Sequence, residues 1–394
     1  MKQLGFQILK KDNKTRARRG VLYTSHGKIY TPAYVMVATH AQIKCLEPSD
    51  IKKTKTQVVI ANTYHLWPSA TKLKVKSEKS KVKNEGFIIK KLGVSLPTMT
   101  DSGGFQVFSF GAAKEHGVGK ISGKSDKEQA IRDGQIRITE KGVYFTLDGQ
   151  KRFLGPELSI QIQEKLGADI IFAFDECTSP LHDLKYNKAA MERTHRWAKE
   201  CLKAKTRKDQ LLFGIVQGGV YQSLRRQSAK FIGSLPFDGF GIGGSFGEKE
   251  MVQTLKTIIP YLPEDKPRHL LGIGRIEDVF NAVENGVDLF DCVIPTREAR
   301  HGRIWTNKGA YDIRKGKYRT SRSNIEPGCA CPACKKITRA ELHRLFKTKQ
   351  PLAGRYATIH NVWFFNSFLE RIRASIKQGN FLKFKQKFLS RLQA

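Results

Sequence analysis

The chain has 394 residues, of which 40% are hydrophobic, so it is long enough for one large domain plus a smaller one and apolar enough to bury a core. Seventy Lys and Arg against 36 Asp and Glu give a formal charge of +34, which points to a polyanionic partner; nucleic acid fits best, because neutralising phosphates releases counterions. Of seven cysteines, three cluster at 329–334 and the other four, Cys45, Cys177, Cys201 and Cys292, are far apart, which suggests no disulfide framework; Met1 to Arg19 lacks the apolar core of a signal peptide, and runs such as Ile170 to Phe174 are too short to cross a bilayer. A soluble, cytoplasmic protein with no membrane association is expected.

In chain order, short apolar strands are predicted over Tyr30 to Val37, Gln57 to Asn62, Leu96 to Asp101, Asp169 to Asp175, Leu211 to Gln217, Phe237 to Gly243, His269 to Ile273 and Val287 to Ile294. Helical stretches separate them. Alternating strands and helices imply parallel pairing, and eight such units match a closed (β/α)₈ barrel with its active site at the carboxyl ends of the strands. The strands stop on Asn62, Asp101, Asp175, Gln217, the pair Gly243-Gly244 and Asp291, which therefore point into one mouth. Gly111 to Ile136, polar and rich in Gly and Lys, is predicted to be an insertion beside that mouth. The barrel is expected to span 1–302 and a zinc-binding, helical region 303–394, with helices over Ala340 to Lys347 and Val362 to Gln378. The lysines of 72–91 and 377–387 are expected on solvated faces.

Cys329, Cys331 and Cys334 form Cys-x-Cys-x-x-Cys, and 25 residues separate Cys334 from His360. Three thiolates and one imidazole suit tetrahedral zinc, and a closed Cys₃His set leaves no position for a reacting water, so the ion is structural, one per chain. Chemistry must lie elsewhere. Asp101 and Asp291 are the candidates: a carboxylate ionised at neutral pH can attack a sugar anomeric carbon without a base, and a second carboxyl can move protons on the departing and arriving groups.

Five strings in fixed order carry a resemblance: Asn62-Thr63-Tyr64-His65-Leu66, Asp101-Ser102-Gly103-Gly104-Phe105-Gln106-Val107, Phe174-Asp175-Glu176-Cys177-Thr178, Val216-Gln217-Gly218-Gly219, and Phe290-Asp291-Cys292-Val293-Ile294-Pro295-Thr296-Arg297. Followed by the Cys₃His pattern, they resemble queuine/archaeosine-type tRNA-guanine transglycosylases over roughly residues 20–380. The resemblance implies a zinc-containing barrel enzyme that removes guanine from the anticodon wobble position and inserts a free 7-deazaguanine base. Asp291 would be the nucleophile on C1′ and Asp101 the general acid/base. Asp175, Gln217 and the backbone of Gly244 would hold the base edge, Phe105 and Leu271 would sandwich the ring, and Arg275, Arg297 and Arg300 would read the flanking bases. A homodimer is implied as well.

Departures from the family pattern bear on the substrate. The turn after the glycine pair, Ser245 to Glu248, is one residue short, and Leu66-Trp67-Pro68 is unusual. Cys177 matches the bacterial form, which takes the aminomethyl base preQ1, so preQ1 is expected over queuine. Two other readings are a DNA 7-deazaguanine transglycosylase and a non-catalytic RNA-binding homologue; the three aspartates argue against the second. The run Gly241-Ile242-Gly243-Gly244 lacks the third glycine of a dinucleotide fingerprint.

Overall fold

The computed structural model describes residues 4–71, 86–108, 136–147, 150–244 and 248–393. The expected insertion at 111–136, apart from Ile136, and most of the Ser245 to Glu248 turn lie outside the described residues, as do residues 72–85 of the first lysine-rich stretch.

The chain opens with an antiparallel sheet of β1 (Gly5–Lys11), β2 (Arg18–Thr24) and β3 (Gly27–Thr31). Three barrel strands follow: β4 (Ala33–Val37), β5 (Val59–Ala61) and β6 (Thr98–Thr100). A second antiparallel sheet, β7 (Arg137–Thr139), β8 (Gly142–Leu147) and β9 (Gln150–Leu154), then leads back to the barrel at β10 (Ile170–Phe172), β11 (Leu211–Val216), β12 (Gly239–Ile242), β13 (Arg268–Leu270) and β14 (Leu289–Cys292). The eight barrel strands are parallel and close in chain order, with β14 pairing back onto β4. The (β/α)₈ fold and its eight strands are therefore as the sequence indicates.

The first expected strand is divided. Pro32 has no N–H to donate to a ladder, and at that point the chain passes from the antiparallel sheet, where Tyr30 pairs with Val21, to the barrel, where Tyr34 pairs with Phe290. The other strands are also shorter than expected, because their polar ends leave the ladder to point into the mouth.

Alternation sorts the barrel residues into two layers. Val35, Met99, Phe172, Phe213, Ile215 and Leu289 fill the lumen, and Leu22 and Ile29 of the first sheet join the same cluster. Ile171, Leu212, Phe240, Ile242, Leu270 and Phe290 face outward to the helices. Strand β12 gives up side chains on its inner face: a Cβ at Gly239 would lie 2.5 Å from the Phe213 ring and one at Gly241 3.0 Å from that of Phe172. These glycines make room for two phenylalanines. That accounts for the glycine run without a nucleotide.

After β14 come the helix Ile294–Arg300 and the hairpin β15 (Arg303–Thr306) and β16 (Gly309–Asp312), then the cysteine knuckle and the helices Arg339–Lys347, Pro351–Lys377 and Phe381–Gln393. The long helix has two attachments: Phe364, Phe365, Phe368 and Leu369 pack in the outer barrel core, while Ala357 and Ile359 belong to a separate small core around the knuckle. Beyond it Phe381 and Phe388 are buried, and Lys385 reaches Glu284 at 2.5 Å and Asn281 at 2.7 Å. Lys385 is thus not on a solvated face, since its helix turns an apolar stripe inward. Among the described residues, no helix is long and apolar enough to cross a membrane.

Candidate active site and metal centre

Asp101 follows β6 and is held from three sides. Thr63 N–H and Gly103 N–H each donate to Oδ1 at 3.0 Å, and Asn62 Nδ2 donates to Oδ2 at 2.6 Å. Burial nevertheless dominates: together with the negative charge of Asp291 it pushes the carboxyl up to about 7, against the opposing pull of those donors. A carboxyl half-protonated near neutral pH can give a proton in one step and take one in the next.

Asp291 lies within β14, across from Val35, and its side chain is 16% exposed. His269 Nε2 approaches Oδ1 at 2.8 Å and Gly272 N–H donates to the same oxygen at 3.2 Å.

Beside these, Asp175 and Gln217 form one unit. Gln217 Nε2 donates to Asp175 Oδ2 at 2.7 Å, and Ser102 Oγ donates to Oδ1 at 3.2 Å. Burial raises the Asp175 carboxyl to about 6. Gln217 Oε1 is buried and has no partner among the described residues. An orphaned buried acceptor is costly unless something fills it, and a donor-bearing edge of a planar base would do so. A Cβ at Gly243 would lie 2.6 Å from Gln217 Nε2, so that glycine keeps the carboxamide in place. Cys177 sits in the same loop as Asp175, and burial drives its thiol up to about 12, so it is a neutral wall group.

Phe105 stands in the helical turn after Asp101 and Leu271 just past β13; both are half-buried, as facing walls of a slot would be. Gly244 follows the end of β12 with φ +120°, a conformation natural to glycine. Arg275 and Arg297 are exposed at the start of the helix Ile276–Glu284 and within the helix Ile294–Arg300. Arg300 is half-buried, and its Nη1 has no partner among the described residues.

Sequence reasoning missed two supports. Arg225, fully buried, donates to the carbonyls of Gly219 (2.8 Å), Val216 (3.1 Å) and Gly243 (2.6 Å), tying the ends of β11 and β12 that carry Gln217 and the glycine pair. His269 was assigned no role. Its signal was a lone polar ring amid apolar strand residues, two positions before Leu271 and so on the same face.

At the knuckle, the thiols of Cys329, Cys331 and Cys334 lie 3.9, 3.5 and 3.4 Å from His360 Nδ1, and all four donor atoms are within 4.8 Å of one another. A tetrahedron with bonds of about 2.3 Å to sulfur and 2.0 Å to nitrogen has edges of roughly 3.5 to 3.8 Å. The donors fit such an ion. His360 Nε2 meets Trp305 O at 2.8 Å, which makes Nε2 the protonated nitrogen and turns Nδ1 to the thiols. Backbone N–H groups of Cys331 and Cys334 point at the sulfurs of Cys329 and Cys331, as suits thiolates.

A parallel eight-stranded barrel with titratable carboxyls at the carboxyl ends of its strands, and a Cys₃His cluster that could hold a metal ion in a separate small core, defines the class: a (β/α)₈ barrel with a candidate metal site outside its mouth. The sequence profile described as Queuine tRNA-ribosyltransferase matches residues 12–394. Similar proteins include the queuine tRNA-ribosyltransferases of Halothermothrix orenii, 41% identical over 98% of this chain and 97% of that protein, and of Caldanaerobacter subterraneus subsp. tengcongensis, 40% identical over 99% and 98%. The chain belongs to the queuine tRNA-ribosyltransferase family, the tRNA-guanine transglycosylases, and is a pentosyltransferase.

Proposed function

We propose that this enzyme exchanges guanine at the tRNA wobble position for a free 7-deazaguanine base, with preQ1 preferred, through a covalent aspartyl-ribose intermediate. The observation that carries it is the Asp175–Gln217 pair with its orphaned Oε1, set beside the raised carboxyl of Asp101 and the half-open Asp291. Guanine and its 7-deaza analogues share one edge, which offers N–H donors to a carboxylate and accepts at O6. Asp175 takes one N–H donor of that edge and Gln217 Oε1 another, while the Gly244 backbone N–H donates to O6, once the Asp175–Gln217 bond opens to admit the base. Phe105 and Leu271 close on the ring faces, as a flipped nucleotide requires.

Asp291 Oδ2 then forms a bond to C1′ as the C1′–N9 bond breaks. The electron pair of that bond leaves with the base, and Asp101 supplies the proton. The incoming base returns its proton to Asp101 as it attacks C1′ and releases Asp291. Arg275, Arg297 and Arg300 engage the splayed bases beside the target, where planar guanidinium groups serve better than ammonium. Zinc is the ion proposed for Cys329, Cys331, Cys334 and His360; it would stabilise the local fold and takes no part in bond making. We further propose a homodimer working on cytoplasmic tRNA.

The test is incorporation of labelled guanine into unmodified tRNA, with duplex DNA in parallel. Label entering tRNA alone is expected; label entering only DNA would move the enzyme to the other polymer. Competition between preQ1 and queuine decides the base, and a higher kcat/KM for queuine would reject the bacterial-type preference while leaving base exchange intact.

A further inference from the structure

Strand β13 sets His269 inside the barrel, fully buried, in register with Gly241 on one side and Leu289 on the other. Its ring meets the Phe172 ring edge to face, with centroids 5.4 Å apart at 82°. Because Gly241 has no side chain, the Phe172 ring fits there, and it holds the imidazole from below. Among the described residues the ring has one polar contact. Nε2 lies 2.8 Å from Asp291 Oδ1, while Nδ1 is buried with no partner among the described residues. A carboxylate only accepts, so Nε2 carries the hydrogen.

Both donors to Asp291, His269 Nε2–H and Gly272 N–H, converge on Oδ1. Among the described residues none bonds Oδ2. We propose that His269 is a positioning residue for the nucleophile: it fixes the rotation of the Asp291 carboxylate so that Oδ2 alone is presented to C1′. This rests on the reading of Asp291 as nucleophile.

The arrangement persists through the reaction. When Oδ2 becomes bonded to C1′, Oδ1 becomes the ester carbonyl oxygen and still accepts from His269 and Gly272. The ester is thus held in the orientation in which the second base must attack. A histidine serves this purpose through rigidity: its planar ring, pinned by Phe172, has far less freedom than a long flexible donor, and small misplacements of a reacting group are expensive in rate.

Three variants test it, each assayed for kcat, KM and denaturant-resistant tRNA adduct after confirming a folded state. His269→Gln keeps a donor at about the reach of Nε2, His269→Asn keeps polarity but stops short, and His269→Leu keeps volume without a donor. Leu and Asn should lower kcat roughly 10- to 100-fold, with KM for tRNA and guanine within about threefold, and with less adduct at early times. Gln should recover most of the loss. If Leu does not fold, the comparison of Gln with Asn still decides.

Equal rates for Gln and Asn, or a folded Leu variant with wild-type kcat, would overturn the proposal. A histidine NMR spectrum showing the hydrogen on Nδ1 would do the same. Asp291→Asn separates the two ideas. Exchange surviving in Asp291→Asn removes the nucleophile reading itself, whereas an inactive Asp291→Asn beside a fully active His269→Leu removes only the positioning role.

Discussion

Asp101 should make the folded chain less stable than it could be, and Asp101→Asn should expose the cost. Its carboxyl stands at about 7 in the folded protein against 3.8 for a free side chain. A carboxyl raised on folding binds its proton more tightly in the folded than in the unfolded state, so stability falls as pH rises from 3.8 to 7 and the full penalty is present above 7. Linkage puts that penalty at about 4 kcal/mol at pH 8 and about 1.5 to 2 kcal/mol at pH 5. An asparagine removes the charge and can still accept from Thr63 and Gly103 through Oδ1, but its NH₂ would face Asn62 Nδ2, donor against donor. That clash costs about 1 to 3 kcal/mol at any pH. The variant should therefore be close to wild type in stability at pH 5 and about 1 to 3 kcal/mol more stable at pH 8. Urea unfolding at both pH values, with metal held saturating so that the transition stays two-state, measures the difference. The change between the two pH values, about 2 to 3 kcal/mol, isolates the charge from the clash. A variant whose relative stability is independent of pH would show that Asp101 is not strained by its burial, and with it the acid/base argument would lose its physical basis.

The pH profile of kcat/KM should be a narrow bell. On the proposed roles, productive binding needs Asp175 ionised to accept from the base and Asp101 protonated to release it, and with these at about 6 and about 7 the competent fraction is roughly 60% at pH 6.5, roughly 9% at pH 5 and roughly 3% at pH 8.5; a flat profile from pH 5 to 8.5 contradicts the proposal. Gly243→Ala puts a methyl group 2.6 Å from Gln217 Nε2, so guanine and its 7-deaza analogues should lose kcat/KM together, by roughly 5- to 150-fold, with circular dichroism unchanged; selective loss of one base would place Gln217 away from the shared edge. Cys331→Ala, or chelation, should lower Tm and increase hydrogen exchange over 294–378. Metal content near one per chain in Cys331→Ala would show that this ligand set is wrong.

The barrel was legible because several strands run into a polar side chain that leaves the ladder: Asn62, Asp101 and Gln217 directly follow β5, β6 and β11, and Asp175 stands three residues past β10. What was not legible depends on partners distant in sequence. The first sheet reads as a polar, basic run because only one of its faces is covered; β1 buries little, while Leu22 and Ile29 of β2 and β3 meet the barrel lumen. The last helix was hidden by its lysines, although Phe381, Phe384 and Phe388 recur at spacings of three and four. The role of His269 was invisible for a different reason: a single buried imidazole has no pattern, and its partner is 22 residues away on the neighbouring strand.

The candidate metal centre belongs to a small core separate from the carboxyls proposed to react, and the long helix Pro351–Lys377 gives a physical reason for its presence. His360 turns Nδ1 to the thiols, and the next residue, Asn361, accepts from Trp305 N–H at 3.0 Å and donates to the carbonyls of Arg303 (3.0 Å) and Pro295 (3.2 Å). Pro295 opens the helix that carries Arg297 and Arg300, and that helix begins three residues after Asp291. One turn of helix therefore connects the candidate ligand cluster to the segment that leaves β14, the strand of Asp291. The hairpin β15–β16 buries only one small apolar core of its own, built around Ile304, Ile313, Ile325 and Leu342 together with Cys331 and Cys334. A core of that size gives little stability alone, so an ion bound by the three thiolates and the imidazole would supply the rigidity that hydrophobic burial does not. On this argument, loss of metal would reduce activity by releasing Pro295 to Arg303, and the defect should fall more heavily on the tRNA contacts proposed for Arg297 and Arg300 than on the geometry of Asp101, which hangs from Asn62, Thr63 and Gly103 at the ends of β5 and β6.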